Sequence, residues 1–451
     1  MAVNLIEAAC RHARDRPNSC AVDEIGGRVW TWREILGSAQ ACGEWLLKHT
    51  ADDSVIMLYG PGGGAFWAAA IGIFGTGRRL LPLPVATLFE EREAIGAAHR
   101  VDAVVLTQAS DAMEAEESFV VEPGLSASTA LTRAESGSLL LRSSGTTGNP
   151  AVALRSGAAL DQVAATLVST INLRTEDRVL AALPMHHAYG IEHAFLAPLL
   201  AGAEVIWQPG LELARSAEVL QRRATVFPAV PVTLDAASRL DASSSTLRLA
   251  YTAGSSLPDV VRLAFAEKWN VPVGDLYGAT ELGTIAFGVD GVMRAVQGVS
   301  IRMSSENEVL VHSDAMFEGY LDHREKPLRL GDRSDGFFRT GDLGTLNEGV
   351  LSITGRLKAQ FDVGGLKVNP EEVEAVLQGC PGVREIAVVP LVLSDTVTRV
   401  RLVVVGDVEA EAIAAFATAR LAAHLRPRQI DLVERLPRTA SGKIKRHEIG
   451  E

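Results

Sequence analysis

Four short motifs in this sequence contain residues whose types and spacing suit chemistry on phosphate groups. In chain order they are Ser143-Ser-Gly-Thr-Thr-Gly-Asn-Pro150, Tyr277-Gly-Ala-Thr-Glu281, Phe338-Arg-Thr-Gly-Asp342 and Pro437-Arg-Thr-Ala-Ser-Gly-Lys443. They supply a loop able to surround phosphate, a hydroxyl beside a carboxylate, a second carboxylate suited to ribose hydroxyls, and a late lysine. Any one of them could arise by chance, but the ordered set predicts a site for ATP.

The first motif is a loop rich in glycine and hydroxyl residues that follows the apolar segment 138–141. Its backbone N–H groups and side-chain O–H groups could surround the β- and γ-phosphate oxygens. The residues concerned are Ser143, Ser144, Gly145, Thr146, Thr147 and Gly148. The segment does not match the Gly-x-x-x-x-Gly-Lys-[Ser/Thr] pattern of a Walker loop, and taken alone it also fits an ordinary turn.

The second motif combines an aromatic ring, a hydroxyl and a carboxylate within five residues. Tyr277, which precedes Gly278, offers a stacking face for adenine. Thr280 offers a donor to the α-phosphate, and Glu281 offers a hard oxygen ligand for Mg²⁺. A strand end followed by a helix N-terminus with an acidic first turn would explain the same residues without a ligand.

The ordered motifs resemble those of the adenylate-forming superfamily, which contains acyl- and aryl-CoA synthetases, adenylation domains and luciferases. The resemblance runs from about Thr31 to Arg446, which is nearly the whole chain. It implies that the protein activates a carboxylic acid as its acyl-AMP.

The resemblance implies roles for further residues around the nucleotide and the acid. Asp342 would accept both ribose hydroxyls, and Arg356 would hold the nucleotide from the other side of a domain boundary. Ser255 and Ser256 stand where the superfamily lines its adenine pocket. His187, in a Pro-Met-x-His segment, would pack near the reacting carboxylate. A turn aspartate, a surface arginine and a packed core histidine remain the alternatives.

Lys443 stands on a glycine-flanked loop in the place of the catalytic lysine of the superfamily. Negative charge builds on phosphate and pyrophosphate oxygens as a carboxylate attacks the α-phosphate, and a lysine closing over the site can neutralise it in the transition state. An exposed basic tail is the alternative. We expect the neighbouring Lys445 and Arg446 to be solvated.

Members of the superfamily rotate their C-terminal domain after adenylation, and Lys358 occupies the hinge position by resemblance. Gly364 and Gly365 would then line the second conformation. Backbone without side chains can approach the pantetheine arm of a thiol substrate closely. An ordinary β-hairpin turn would also explain the two glycines.

Two departures from the superfamily pattern bear on activity and substrate. The usual Pro-Lys-Gly after the phosphate loop is replaced, with Ala151 in the lysine position, which removes a charge that would help to neutralise the leaving pyrophosphate. Tyr189 stands near the place where amino-acid-activating members carry an aspartate for the substrate ammonium. We therefore expect a substrate other than an α-amino acid, with Glu192 and Asp235 as the nearby acids that could still supply that charge.

The elements that must position these residues follow an α/β pattern between about Thr31 and Leu240. Short apolar runs alternate with alanine-rich helical segments, as expected for buried parallel strands and their crossover helices. The predicted strands are 54–58, 103–107, 178–183, 203–207 and 224–228, and the predicted helices include 31–49, 65–75 and 158–169.

From Gly298 the pattern changes to short alternating strands, which indicate a small β-rich subdomain. Further strands and helices follow the segment 355–358. The predictions are strands at 299–303, 308–312, 350–354, 386–393 and 400–405, a helix at 370–378 and an amphipathic helix near 412–425. We therefore predict an α/β protein. A large N-terminal domain, 1–357, contains α/β subdomains and the β-rich subdomain, and a small mobile α+β C-terminal domain, 358–451, carries Lys443.

Composition limits the possible partners and compartment. The chain has 451 residues and a formal net charge of -12, from 43 basic and 55 acidic residues. This balance argues against a nucleic-acid partner and against docking on an anionic membrane. Its four cysteines show no CxxC spacing, which favours a reducing compartment, and no metal-ligand cluster is evident. They are Cys10, Cys20, Cys42 and Cys380.

Neither a signal peptide nor a membrane span is predicted. The N-terminus lacks a basic region followed by a long apolar stretch. The uncharged segment 55–77 has about the length of a membrane span, but Gly60-Pro-Gly-Gly-Gly64 interrupts it where a helix would have to be continuous. These features predict a cytoplasmic protein.

Two classes of function follow from these features. The first is an ATP- and Mg²⁺-dependent ligase that forms acyl-AMP, releases pyrophosphate and passes the acyl group to a thiol. CoA is the expected thiol because no carrier domain is attached, although a stand-alone adenylation protein that loads a separate phosphopantetheinyl carrier protein also fits. The second, raised by Ala151, is a non-catalytic protein that binds nucleotide or acyl-adenylate. The mostly apolar segments 185–193 and 279–287 favour a small aryl or short-to-medium acyl acid as the substrate.

Overall fold

The computed structural model describes residues 4–85, 87–108, 118–122, 131, 137–142, 152–208, 213–241, 245–254, 256–289, 291–321, 333–363, 366–394, 397–439 and 443–449. The chain divides into two compact units. Unit 1 comprises Met1–Ser300 and His312–Arg333, and unit 2 comprises Ile301–Val311 and Ser334–Glu451.

The described ranges contain twelve α-helices. They are α1 Leu5–Asp15, α2 Trp32–His49, α3 Gly64–Gly75, α4 Phe89–His99, α5 Gly157–Thr170, α6 Ala188–Ile191, α7 Ala197–Ala201, α8 Leu213–Arg222, α9 Pro231–Ser238, α10 Asp259–Trp269, α11 Pro370–Leu377 and α12 Ala410–Arg420. A π-helical turn, Glu192–Leu196, joins α6 to α7. The three helices predicted in unit 1 are confirmed to within one residue at each end.

The strands are shorter than the helices and more numerous. They are β1 Cys20–Glu24, β2 Val29–Thr31, β3 Val55–Tyr59, β4 Arg79–Leu83, β5 Val101–Leu106, β6 Ser118–Val120, β7 Ser138–Arg142, β8 Val152–Arg155, β9 Arg178–Ala181, β10 Glu204–Trp207, β11 Val226–Ala229, β12 Leu249–Thr252, β13 Val273–Ala279, β14 Gly283–Val289, β15 Arg294–Ala295, β16 Val299–Met303, β17 Glu308–Ser313, β18 Gly319–Leu321, β19 Arg333–Ser334, β20 Phe337–Asn347, β21 Val350–Arg356, β22 Phe361–Val363, β23 Leu366–Val368, β24 Val383–Ser394, β25 Val397–Gly406 and β26 Pro427–Leu432. The five strands predicted between Thr31 and Leu240 are confirmed, with ends that differ by at most two residues.

Unit 1 contains two mixed sheets. The nine-stranded sheet has the order β15-β14-β13-β12-β11-β9-β10-β1-β2, and the seven-stranded sheet has the order β18-β8-β7-β4-β3-β5-β6. The strands from β13 to β1 in the first sheet run parallel, as do those from β7 to β6 in the second. Antiparallel strands occupy the edges. The predicted α/β fold class is confirmed.

Local sequence signals explain how α2 and α3 begin. At the start of α2, Thr31 and Glu34 form a capping box, in which each side chain accepts a hydrogen bond from the backbone N–H of the other residue. Before α3, Gly63 has a φ of 98°, a left-handed conformation that suits glycine. The segment 55–77 is thus a strand, a glycine loop and a helix. Of the helices that the structure describes, none combines the length and the apolar character that a bilayer crossing needs.

One hydrophobic core cluster of unit 1 contains residues from both sheets. All twelve residues of α3 are buried, and none of them carries a charge. The surrounding cluster includes Leu58 and Val105 from the seven-stranded sheet and Val179 and Val205 from the nine-stranded sheet. Residues from both sheets therefore pack around the same helix.

Unit 2 contains three smaller sheets. A five-stranded sheet has the path β16-β17-β20-β19 with β21 paired to β20, β22 and β23 form a hairpin, and β24, β25 and β26 form a three-stranded sheet. Val373 and Leu377 of α11 and Ile413 of α12 share a hydrophobic core with the strands. The predicted helix 412–425 is wrong in its extent, because the backbone of Leu421 is extended and α12 ends at Arg420. The predicted domains, 1–357 and 358–451, stay predictions.

Candidate active site

Those predicted site residues of unit 1 that the structure describes lie at one edge of the nine-stranded sheet, where its parallel strands end. The parallel strands β9, β11, β12 and β13 end at this edge, which is where ligands bind in open α/β sheets. His187, Ser256 and the segment Tyr277–Glu281 follow or complete these strand ends. A hydrogen bond of 3.0 Å from the hydroxyl of Tyr189 to the carbonyl of Ala229 joins the segment after β9 to the end of β11.

The Tyr277–Glu281 motif forms the tip of a β-hairpin. Ala279 pairs with Gly283, and the register shifts between Tyr277 and Gly278, which indicates a bulge. A Cβ atom on Gly278 would lie 2.8 Å from the carbonyl oxygen of Gly283, so the close approach of the two strands requires glycine. The alternative of a strand followed by a helix N-terminus is wrong, because β13 turns directly into β14.

A tyrosine that the sequence did not single out orients Glu281. The hydroxyl of Tyr320 donates a hydrogen bond of 2.5 Å to Oε1 of Glu281, and Tyr320 is held on β18 opposite Ala153 of β8. The backbone oxygen of Glu281 also accepts a hydrogen bond of 2.7 Å from the N–H of Phe317. Both the backbone and the carboxylate of Glu281 are therefore fixed. Among the described residues, no group of three or more His, Cys, Asp and Glu side chains is arranged to hold a metal ion.

His187 lies at the N-terminal cap of α6, in the turn that follows β9. Its ring centroid is 4.2 Å from that of His186. Burial, and to a lesser degree the electrostatic influence of the neighbouring His187, lowers the pKa of His186 to about 3. His186 is therefore neutral at physiological pH, and the predicted contact between His187 and a substrate carboxylate stays a prediction.

A buried aromatic cluster lies in the same region and was not anticipated. Nδ1 of His193 is 2.6 Å from the hydroxyl of Tyr251, and the rings of His193 and Tyr189 meet edge to face at 4.6 Å. Burial lowers the pKa of His193 to about 3 and raises that of the Tyr189 hydroxyl well above its ordinary value. Nε2 of His193 has no hydrogen-bond partner in the part of the chain that the structure describes. The cluster is neutral and aromatic.

The two acids near Tyr189 are both paired with arginines. Oε1 of Glu192 lies 2.5 Å from Nη1 of Arg155, and both side chains are almost wholly buried. Burial raises the pKa of Glu192, and Arg155 opposes that shift. Asp235 accepts two hydrogen bonds of 2.7 Å from Arg239, the residue that caps the C-terminal end of α9. The Arg155–Glu192 pair, like Tyr320 and the aromatic cluster, was not predicted from the sequence.

In unit 2, Asp342 and Arg356 lie side by side on β20 and β21. The two residues are direct cross-strand partners, and Nε of Arg356 is 2.7 Å from Oδ1 of Asp342. Asp342 is buried, whereas the side chain of Arg356 is 64% exposed. Gly341, beside Asp342, has a φ of 72° and donates its N–H to Glu308 at 3.0 Å. The predicted ribose aspartate is therefore held within strand β20, not in a turn between strands.

Lys443 is exposed and belongs to a backbone-bonded segment of unit 2. Its N–H donates to Oγ1 of Thr439 at 3.1 Å. The expectation that Arg446 is solvated is wrong, because Arg446 pairs with Glu374 at 2.7 Å. Lys445 forms an ion pair with Glu448 at the surface.

Other predicted site residues are described in part or not at all. Lys358 belongs to a 3-10 turn, Leu357–Ala359, and Ser256 is exposed. The residues outside the described ranges are Ser143, Ser144, Gly145, Thr146, Thr147, Gly148, Ala151, Ser255, Gly364 and Gly365. The strands on either side of Gly364 and Gly365, β22 and β23, pair as an antiparallel hairpin.

Two family models match this chain. Residues 9–321 match the family model described as AMP-binding enzyme, and residues 372–443 match the one described as AMP-binding enzyme C-terminal domain. A long-chain-fatty-acid–CoA ligase, FadD13, of Mycobacterium tuberculosis is 29% identical over 332 residues, which cover 68% of this chain and 65% of that relative. The chain thus spans just under two thirds of the length of that relative.

One further relative and one solved structure extend this comparison. An indoleacetate–CoA ligase of Aromatoleum aromaticum is 29% identical over 341 residues, with 69% of this chain and 66% of the relative covered. The crystal structure of ATP-bound MatB from Rhodopseudomonas palustris superposes with a TM-score of 0.89 at 24% identity, covering 100% of this chain and 98% of that one. The fold is therefore the one that MatB adopts.

Proposed function

Because this chain belongs to the AMP-binding enzyme family, we propose that it activates a carboxylic acid with ATP and transfers the acyl group to CoA. In the first step a carboxylate oxygen of the acid bonds to the α-phosphorus, and the bond from that phosphorus to pyrophosphate breaks. In the second step the thiol sulfur bonds to the acyl carbon, AMP leaves, and the thiol proton passes to solvent. The observation that carries the proposal is the Thr280–Glu281 turn, with its carboxylate fixed by Tyr320.

The hairpin tip provides the groups that the first step needs. Tyr277 is half-buried and would stack on adenine, and Thr280 would donate its hydroxyl to the α-phosphate. Glu281 would hold Mg²⁺, which commonly binds through one or two carboxylates and the phosphates of its substrate. When bound, Mg²⁺ supplies positive charge to the phosphates. Tyr320 would keep one oxygen of Glu281 fixed, as the outer-shell partners of metal ligands do.

Unit 2 would contribute three further side chains to the first step, those of Asp342, Arg356 and Lys443. Asp342 would accept the ribose hydroxyls, and Arg356 fixes the orientation of that carboxylate through its 2.7 Å contact. Lys443 would neutralise the charge that develops on the phosphate oxygens as the carboxylate attacks. We further propose that Lys358 is the hinge of a rotation that removes Lys443 and admits the thiol beside Gly364 and Gly365.

The ion pairs of unit 1 support a substrate without an ammonium group. Glu192 and Asp235 are both bound to arginines, so neither offers an uncompensated negative charge to an amino acid. The nearby cluster of Tyr189, His193 and Tyr251 is neutral. A small aryl or short-to-medium acyl acid fits such surroundings better than an amino acid does. The names of the relatives differ, since one acts on long-chain fatty acids and another on indoleacetate.

Ala151 raises alternatives to a fast ligase. A lysine in that position would help to neutralise pyrophosphate, so its replacement favours either a slow enzyme or a protein that binds acyl-adenylate without turnover. A phosphopantetheinyl carrier protein could also replace CoA as the acceptor. We place the reaction in the cytoplasm, where thiols are kept reduced, and the four cysteines of this chain are all free.

ATP–pyrophosphate exchange against a panel of aryl, fatty and amino acids tests the proposal. Exchange with one class of acid is the expected result, followed by thioester formation when CoA or a carrier is added. Lys443→Ala should abolish exchange, whereas Lys445→Ala, which removes a surface lysine two residues away, should leave it nearly unchanged. ATP binding without exchange for any acid would refute the ligase and support the binding protein.

A further inference from the structure

Arg446, three residues after Lys443, is bound to a largely buried glutamate. Its Nη2 donates to both carboxylate oxygens of Glu374, at 2.8 and 2.7 Å. Its Nη1 is 3.6 Å from a carboxylate oxygen of Glu371. The side chain of Glu374 is 14% exposed and that of Arg446 is 32% exposed. These atoms all belong to unit 2, and hydrogen bonds between two charged groups are stronger than those between neutral groups.

Glu374 is itself anchored at two places. It lies on α11, and its Oε1 accepts a hydrogen bond of 2.7 Å from the N–H of Val388 in β24. Burial raises the pKa of Glu374, and Arg446 opposes that shift. Removing Arg446 would therefore leave a buried carboxylate without its counter-charge, which is strongly unfavourable.

The segment around Lys443 is closed on itself by backbone hydrogen bonds. Thr439 donates its N–H to the carbonyl of Lys443 at 2.8 Å, and Lys445 donates to the carbonyl of Pro437 at 2.9 Å. Ile444 packs against a small hydrophobic cluster that includes Leu436. Movement at residue 446 is therefore transmitted to Lys443 through residues 444 and 445, which are already held in place.

We propose that Arg446 is a positioning residue for adenylation. Through Glu374 it holds the segment that carries Lys443 against α11 and β24, so the Lys443 side chain starts from a defined backbone position. This inference rests on the proposed function. Displacement of a catalytic group by about 1 Å can cost about 100-fold in rate. We expect Arg446→Met to slow adenylation about 10- to 100-fold.

The two half-reactions separate positioning from folding. Lys443 is needed when acyl-AMP forms, not when a thiol attacks it. Arg446→Met should therefore lower ATP–pyrophosphate exchange and leave thioester formation from synthetic acyl-AMP and CoA within about twofold. Glu374→Gln should give the same pattern, and Arg446→Lys, which keeps the charge, should recover part of the exchange rate.

Arg401→Met is the matched control. Arg401 pairs with Asp431 at 2.6 Å on the same unit, with side chains 23% and 29% exposed, and it lies on β25 rather than in the lysine-bearing segment. This variant should leave both half-reactions unchanged. Hydrogen exchange of amides 438–449 should accelerate in Arg446→Met and not in Arg401→Met.

Three outcomes would overturn the inference. Equal losses in both half-reactions would mean that the Arg446–Glu374 pair only stabilises the fold. Unchanged ATP–pyrophosphate exchange in Arg446→Met would mean that Arg446 does not position Lys443. Both of these leave the proposed function intact if wild-type exchange is measured. No exchange in the wild type with any acid would refute the function and the inference together.

Discussion

Removal of one hydroxyl, in Tyr320→Phe, should slow adenylation without disturbing the fold. The Tyr320 hydroxyl donates to Glu281 at 2.5 Å, while its ring packs edge to face on Phe317 at 4.8 Å. Phenylalanine keeps the ring contact and loses only the hydrogen bond. The carboxylate of Glu281 would then be free to turn away from the phosphates.

The expected size follows from the type of hydrogen bond that is lost. A hydrogen bond to a charged group contributes about 1.5 to 3 kcal/mol. At about 1.4 kcal/mol for each factor of ten, this corresponds to a loss of about 10- to 140-fold in kcat/KM for MgATP. The loss should be smaller at high Mg²⁺ concentration, because excess Mg²⁺ compensates for a poorly oriented ligand.

ATP–pyrophosphate exchange at saturating acid, with MgATP varied, measures this effect. Tyr59→Phe is the control, since the Tyr59 hydroxyl donates to the carbonyl of Val85 at 2.6 Å on the seven-stranded sheet. Its kcat/KM should stay within about twofold of wild type. If Tyr320→Phe also stays within twofold, or if both variants lose activity equally, Tyr320 does not orient Glu281 for the reaction.

Three further predictions concern buried charge and the phosphate loop. Arg155→Met and Glu192→Gln should each lower the free energy of unfolding by about 3 to 5 kcal/mol, because each variant leaves a buried charge or polar group unpaired. Urea unfolding should show that the double variant loses less stability than the sum of the two single losses. Losses that simply add would contradict an interaction between the two side chains. Burial lowers the pKa of His193 to about 3, so as pH falls below 6.5 only the unfolded state binds this proton, and the free energy of unfolding should drop by about 1.4 kcal/mol per pH unit. Thermal melts of His193→Gln between pH 6.5 and 4 should show a shallower dependence of stability on pH than the wild type does. An unchanged dependence would mean that His193 is protonated in the folded protein. Ala151→Lys should raise the exchange rate about tenfold by neutralising pyrophosphate, and an unchanged rate would show that this charge is supplied elsewhere.

Local sequence signals predicted several strands and helices of unit 1 and singled out the motif around Glu281, but they did not predict the hairpin that carries this motif. The local sequence is sufficient to predict β3, the glycine loop after it and α3, because each has a distinctive run of apolar residues or glycines. The motif around Glu281 was found because five neighbouring residues combine an aromatic ring, a hydroxyl and a carboxylate. What followed it was predicted less well, since a helix start and a hairpin tip use similar residues.

The contacts that hold the site together could not be predicted from local pattern. Tyr320 reaches Glu281 only because β18 pairs with β8, and that register is a tertiary feature. The sequence contains one indication of the Arg155–Glu192 pair, because each of these charged residues stands within a largely apolar segment. Buried charges are normally paired, so two such residues could have been matched to each other.

The pairing of β1 with β10 has a consequence for how the protein folds during synthesis. Val22 pairs with Val205, about 180 residues later in the chain. At a synthesis rate of about 5 to 20 residues per second, β1 waits about 10 to 40 s on the ribosome for its partner. The apolar helix α3 waits with it, because the strands that cover it from the nine-stranded sheet also follow late. The nascent chain therefore exposes α3 for many seconds, and lower temperature or added chaperone capacity should raise the yield of folded protein.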